Sequence, residues 1–197
     1  QCLSAGSHNI FRFGDLNNDG AMDFITDSDL GTAYFGDGRG GFKLNDQGLP
    51  SLDSLKRRGI SLGDVNNDGS MDMALISLPD NYGGGPLKVY SFDKNEHKWY
   101  DLSGDLPVSD TDFFDLTRLS DMNMDGYTDL VAIRGIADHY GRFSVFLGDG
   151  NNHWQEATSY YLTNIEIAQD FVANRDIDHN GFPDILTLST IEATPID

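Results

Sequence analysis

Four stretches of this chain set oxygen-bearing side chains at one spacing: Asp15-Leu-Asn-Asn-Asp-Gly-Ala-Met-Asp23, Asp64-Val-Asn-Asn-Asp-Gly-Ser-Met-Asp72, Asp121-Met-Asn-Met-Asp-Gly-Tyr-Thr-Asp129 and Asp176-Ile-Asp-His-Asn-Gly-Phe-Pro-Asp184. Positions 1, 3, 5 and 9 offer side-chain oxygens, and the backbone carbonyl of position 7 offers another. Such a set can wrap one hard cation, and Gly at position 6 permits the sharp turn that gathers it. All-oxygen ligands with three carboxylates per loop favour Ca²⁺, since Mg²⁺ demands a tighter octahedron with more water. No His or Cys stands at a ligand position, which disfavours zinc and copper; His179 falls at position 4, expected to point away from the centre. An EF-hand opens with the same six positions but needs Glu at position 12 and flanking helices. Position 12 is Thr26, Leu75, Ala132 and Thr187, each within an apparent strand, so these are loops that link β-strands.

The elements that must hold such loops follow from the runs around them. Phe24-Ile25-Thr26, Met73 to Ile76, Leu130 to Ile133 and Ile185 to Leu188 are short apolar or β-branched runs, which read as buried strands. A further strand is predicted at Thr32 to Phe35, Leu87 to Tyr90 and Phe143 to Leu147. Turn residues then close on an aromatic, at Phe42, Trp99 and Trp154. The motif starts lie 49, 57 and 55 residues apart, a period that suits one supersecondary unit per repeat. Strand, acidic loop, strand, turn, strand, Gly-rich turn, strand is the make-up of a propeller blade. The expectation is an all-β β-propeller of about three and a half four-stranded blades, with repeats at 11–59, 60–116, 117–171 and 172–197. The last is incomplete, because 13 residues follow Asp184, enough for a second strand only.

Composition narrows the partners. The 197 residues carry 32 Asp and Glu against 13 Lys and Arg, a formal net charge of -19. The overall field repels phosphate backbones and anionic membrane surfaces, so no nucleic acid partner is expected. No apolar run approaches the roughly 18 residues of a spanning helix, so no membrane insertion is expected. The loops account for 12 of the 32 acidic residues, and four Ca²⁺ would bring -19 to -11. Cys2 is the single cysteine, which rules out an internal disulfide.

At this point the chain resembles a known family. Motifs of the form Gly-Asp-x-Asn-x-Asp-Gly-x-x-Asp at about 50-residue spacing, followed by Gly-Asp-Gly-x-x-Phe, are similar to the FG-GAP or VCBS repeats of integrin α-subunit propellers and many secreted proteins. The resemblance implies a propeller with Ca²⁺ between the first two strands of each blade. It implies ligand sets of Asp15, Asn17, Asp19, the Ala21 carbonyl and Asp23; and of Asp64, Asn66, Asp68, the Ser70 carbonyl and Asp72. The third set is Asp121, Asn123, Asp125, the Tyr127 carbonyl and Asp129; the fourth is Asp176, Asp178, Asn180, the Phe182 carbonyl and Asp184. The fourth exchanges the Asp and Asn types at positions 3 and 5 but keeps three carboxylates.

Trp99 and Trp154 align with Phe42 and read as packing residues rather than sugar platforms. Tyr82 beside Gly83-Gly84-Gly85 and the His139-Tyr140 pair do not repeat, and they fall in loops where binding residues collect. They are the candidate ligand-binding residues. No Gly-x-Ser-x-Gly elbow, His-Glu-x-x-His or phosphate loop appears, and nothing singles out a catalytic pair. The expected function is recognition or adhesion outside the cytosol, where Ca²⁺ is millimolar, toward a glycan or protein ligand. The alternatives are part of a secreted polysaccharide-degrading enzyme of lyase type, or a self-assembling structural subunit. Partners would then include a second copy of the chain or the remainder of a larger propeller.

Overall fold

The computed structural model describes residues 10–27, 30–51, 56–78, 85–108, 113–136, 140–157, 165–166 and 168–189. These residues form no helix; they make antiparallel sheets in chain order. The first sheet is the meander β1 (Phe11–Gly14), β2 (Asp23–Thr26), β3 (Ala33–Gly36) and β4 (Phe42–Leu44). The second repeats it with β5 (Lys56–Gly63), β6 (Asp72–Leu78), β7 (Leu87–Asp93) and β8 (Lys98–Asp101). The third has β9 (Phe113–Ser120), β10 (Asp129–Ile136) and β11 (Tyr140–Gly148). Its fourth place is filled in two pieces: β12 (Trp154–Glu156) pairs one end of β11 and β13 (Ile165–Glu166) the other. A fourth, two-stranded sheet joins β14 (Ala168–Arg175) to β15 (Asp184–Ser189). These are blades of the β-propeller type.

The second strands read as unbroken apolar runs because they are covered on both faces. On β6, Met73 and Leu75 pack with Ile25 and Ala33 of the first blade. Ala74 and Ile76, between them in sequence, pack with Leu130 and Ala132 of the third. On β10 the alternation repeats, and Val131 and Ile133 turn to Phe171 and Ala173 of the fourth blade. Apolar clusters therefore lie between successive blades.

The turn aromatics lock neighbouring blades together. Trp99 and Trp154 are 1% and 6% exposed. Their indole N–H groups reach back to the preceding blade, donating to Asn45 O at 2.9 Å and Leu102 O at 2.8 Å. Their reading as packing residues agrees with this geometry. Phe42, which has no such donor, packs edge-on to Phe24 of its own blade and stays half exposed.

Candidate metal centre

Each acidic loop joins the first strand of a blade to its second, and all four close by the same hydrogen bonds. In the first, Asp15 takes Asp19 N–H on Oδ1 at 3.1 Å and Gly20 N–H on Oδ2 at 2.8 Å. Asn17 Oδ1 takes Asp19 N–H at 3.1 Å, and Asp19 Oδ1 takes Ala21 N–H at 2.7 Å. The second loop repeats all four through Asp64, Asn66 and Asp68, the last taking Ser70 N–H. The third does so through Asp121, Asn123 and Asp125, with Tyr127 N–H as the last donor. The fourth uses Asp176, Asp178 and Asn180, with Phe182 N–H last.

Local sequence dictates this shape. Asn and Asp side chains bind backbone N–H groups two residues on and tolerate the left-handed region. Position 4 takes positive φ in every loop, at Asn18, Asn67, Met124 and His179, as does the position 6 glycine. For Met124 and His179 that conformation is uncommon and is imposed by the surrounding hydrogen bonds.

Position 9 ties the loop to the sheet. Asp23, Asp72 and Asp129 are fully buried. Their Oδ2 atoms accept from the position 2 N–H groups of Leu16, Val65 and Met122 at 2.8, 2.9 and 2.7 Å. In the first and third blades Oδ1 also accepts, from Gly36 N–H at 2.8 Å and Gly148 N–H at 2.9 Å on the third strand. In the second blade Phe92 stands where those glycines stand. A Cβ at Gly36 would lie 2.2 Å from Met22 O, and one at Gly148 2.5 Å from Thr128 O, so a larger residue cannot approach as closely. Asp72 Oδ1 is accordingly buried with no hydrogen-bond partner.

The electrostatics follow from burial. Desolvation pushes the Asp23 carboxyl up against its two backbone donors, and Asp19 and Asp15 push it further. Asp129 is raised to about 6, chiefly by burial. Asp72 is raised to about 7, again chiefly by burial; nearby Ser91 and the Val65 N–H relieve its charge in part, and Asp68 and Asp64 add to the rise. Like charges crowded around a dry carboxylate favour its protonated form unless a positive charge is supplied.

What the loops can do chemically is present several oxygens to one hard cation. Each carboxylate has about four lone-pair sites, so the backbone donors leave acceptor capacity over. In the fourth loop, carboxylate oxygens of Asp176, Asp178 and Asp184 lie within 4.8 Å of one another. There Asp stands at position 3, where the other loops have Asn. The unpartnered Asp72 oxygen and the oxygen-only donor sets fit a divalent ion such as Ca²⁺. Neighbouring loops also touch: Asp15 O accepts Met71 N–H at 3.0 Å, Thr128 Oγ1 donates to Asp64 O at 2.7 Å, and Asn67 Nδ2 donates to Gly126 O at 3.2 Å.

Tyr82 and His139 lie outside the described residues. Tyr140 opens β11, with its backbone paired to Glu166 on one side and Ile136 on the other. Sequence reasoning passed over two features. The clamp from position 9 to the third strand was signalled by Gly36 and Gly148, each just before an Asp-Gly pair. Two cavities beside the loops, of ≈ 390 and ≈ 490 Å³, had no sequence signal, because each is assembled by packing.

Four-stranded antiparallel blades stacked in order, each with an acidic loop after its first strand, define a repeat protein of the β-propeller type. Within it, residues 121–187 match the FG-GAP-like repeat family. The matched span runs from the start of the third acidic loop to just beyond the fourth. No curated protein matches the chain.

Proposed function

We propose that the chain is a calcium-loaded recognition module of the β-propeller type, acting outside the cytosol. The observation that carries this reading is one hydrogen-bonded loop geometry, made four times, which in the first three loops closes on a buried aspartate that burial and neighbouring carboxylates leave short of positive charge. Each loop ends on an aspartate at the root of a second strand, so a bound cation fastens loop to sheet. Asp15, Asn17, Asp19, Asp23 and their counterparts supply the side-chain ligands, and the position 7 carbonyls complete each set. Calcium here is structural, and blade loops carried on the fastened frame present the recognition surface to a glycan or protein. At free Ca²⁺ about 100 times the dissociation constant, each site contributes about 2.7 kcal/mol when the unfolded chain binds none. Thermal unfolding with calcium and with a chelator tests the reading. A fall of many degrees on chelation is expected, and an unchanged melting temperature refutes it.

A further inference from the structure

The two cavities beside the loops lie at similar places in successive blades but differ in charge. The one beside the second loop has Asp68 and Asp93 in its lining along with Lys94. The one between the first and second blades has no acidic residue in its lining, although the chain carries 32 carboxylates against 13 Lys and Arg. Its rim holds Lys43 and His97, both exposed. Its floor is the partly exposed Phe35 ring, backed by the buried Phe92 ring with centroids 4.5 Å apart. Carboxamides form the walls: Asn45 spans the two blades, its Nδ2 donating to His97 O at 3.4 Å, and the Gln47 side chain is exposed beside it.

An apolar floor, amide walls and one rim ammonium, from Lys43, in a cavity of ≈ 490 Å³ suit an acidic sugar. A sugar ring lays its C–H face on Phe35, its hydroxyls exchange hydrogen bonds with the amides, and its C6 carboxylate pairs with the Lys43 ammonium. We infer that this cleft is a subsite for a uronic acid unit of an anionic glycan. The inference deepens the recognition reading and rests on it: Asn17 of the first loop also lines the cleft, and the carboxylates of that loop repel an anion until a cation neutralises them.

Calorimetric titration of the calcium-loaded chain with trigalacturonate, and with the neutral galactose trimer, tests this. The acidic trimer should bind and the neutral one at least about tenfold more weakly, the effect expected of a charged hydrogen bond. Lys43→Glu should weaken the acidic trimer by at least about tenfold, and Lys94→Glu in the other cavity should leave it unchanged. A trimer held only through loop calcium would be indifferent to Lys43→Glu, and that result overturns the inference. So does failure to bind, or equal affinity for both trimers. The calcium-dependent melting shift, measured on the same samples, separates the two readings. A normal shift without trimer binding sinks the subsite and leaves the calcium reading standing; no shift sinks the calcium reading.

Discussion

Asp72→Asn should stabilise the metal-free fold and lose most of that advantage when calcium is present. Asp72 is fully buried, its Oδ2 accepts Val65 N–H at 2.9 Å, and its Oδ1 has no hydrogen-bond partner. Its carboxyl is raised from 3.8 to about 7, chiefly by burial. At about 1.4 kcal/mol per unit, ionising it in the metal-free fold costs about 4 kcal/mol relative to ionising it in the unfolded chain. Asparagine has the same shape, keeps an oxygen for Val65 N–H, and sets an uncharged NH₂ near Ser91. At pH 8 in chelator the variant should therefore be the more stable by up to about 4 kcal/mol. In calcium at about 100 times the dissociation constant the parent gains about 2.7 kcal/mol that a variant without this site lacks, so the variant's advantage should shrink to about 1 to 2 kcal/mol. Urea unfolding of both proteins in both buffers measures the two differences. A variant less stable than the parent in chelator, or one whose advantage is as large in calcium as in chelator, refutes the reasoning. The pH profile carries the same sign. Between the unfolded value of 3.8 and about 7 the fold holds a proton on Asp72 that the unfolded chain has released. Stability of the metal-free parent thus falls as pH rises through that window, and Asp129, raised to about 6, adds to the fall. Asp72→Asn should flatten the upper part of the curve.

Trp154→Phe removes the indole donor to Leu102 O and part of a buried ring, at a cost of about 2 kcal/mol in urea unfolding, with the calcium shift unchanged. Gly104→Ala drives a Cβ to 1.8 Å from Asn152 O of the next blade, whereas Gly126→Ala in the third loop meets no atom within 4 Å. Both glycines have positive φ, so both changes destabilise, but the first should cost at least about 2 kcal/mol more. The Asp105 carboxylate at 3.0 Å raises the imidazolium of His153, chiefly through their hydrogen bond. Asp105→Asn should move the His153 titration, followed by NMR, back toward the ordinary histidine value.

The loops were legible because their geometry is local. The hydrogen bonds made within Asp15 to Asp23 span seven residues or fewer, so residue type and spacing carry the information. The strands were legible for a related reason: burial on both faces leaves an apolar run such as Met73 to Ile76 without alternation. The third strand of the first blade was read one residue early. Thr32 N–H and Ala33 N–H are taken by the Asp46 carboxylate at 2.9 and 2.8 Å, and regular pairing begins at Ala33. The difference among the buried aspartates was hidden, because the Gly36 donor to Asp23 comes from a separate strand. The register that pairs Met73 with Tyr90 puts Phe92 at the place in the second blade that Gly36 holds in the first. The cleft over Phe35 and Phe92 was hidden for a stronger reason, since its two rings come from different blades.

Each of the four loops is expected to hold a calcium ion that fastens the fold. Native mass spectrometry in dilute calcium, repeated after Asp15→Asn, Asp64→Asn, Asp121→Asn and Asp176→Asn singly, tests it most directly. The account predicts four ions on each parent chain and the loss of one with each substitution. A parent chain that carries no calcium, or substitutions that leave the count unchanged, would contradict it.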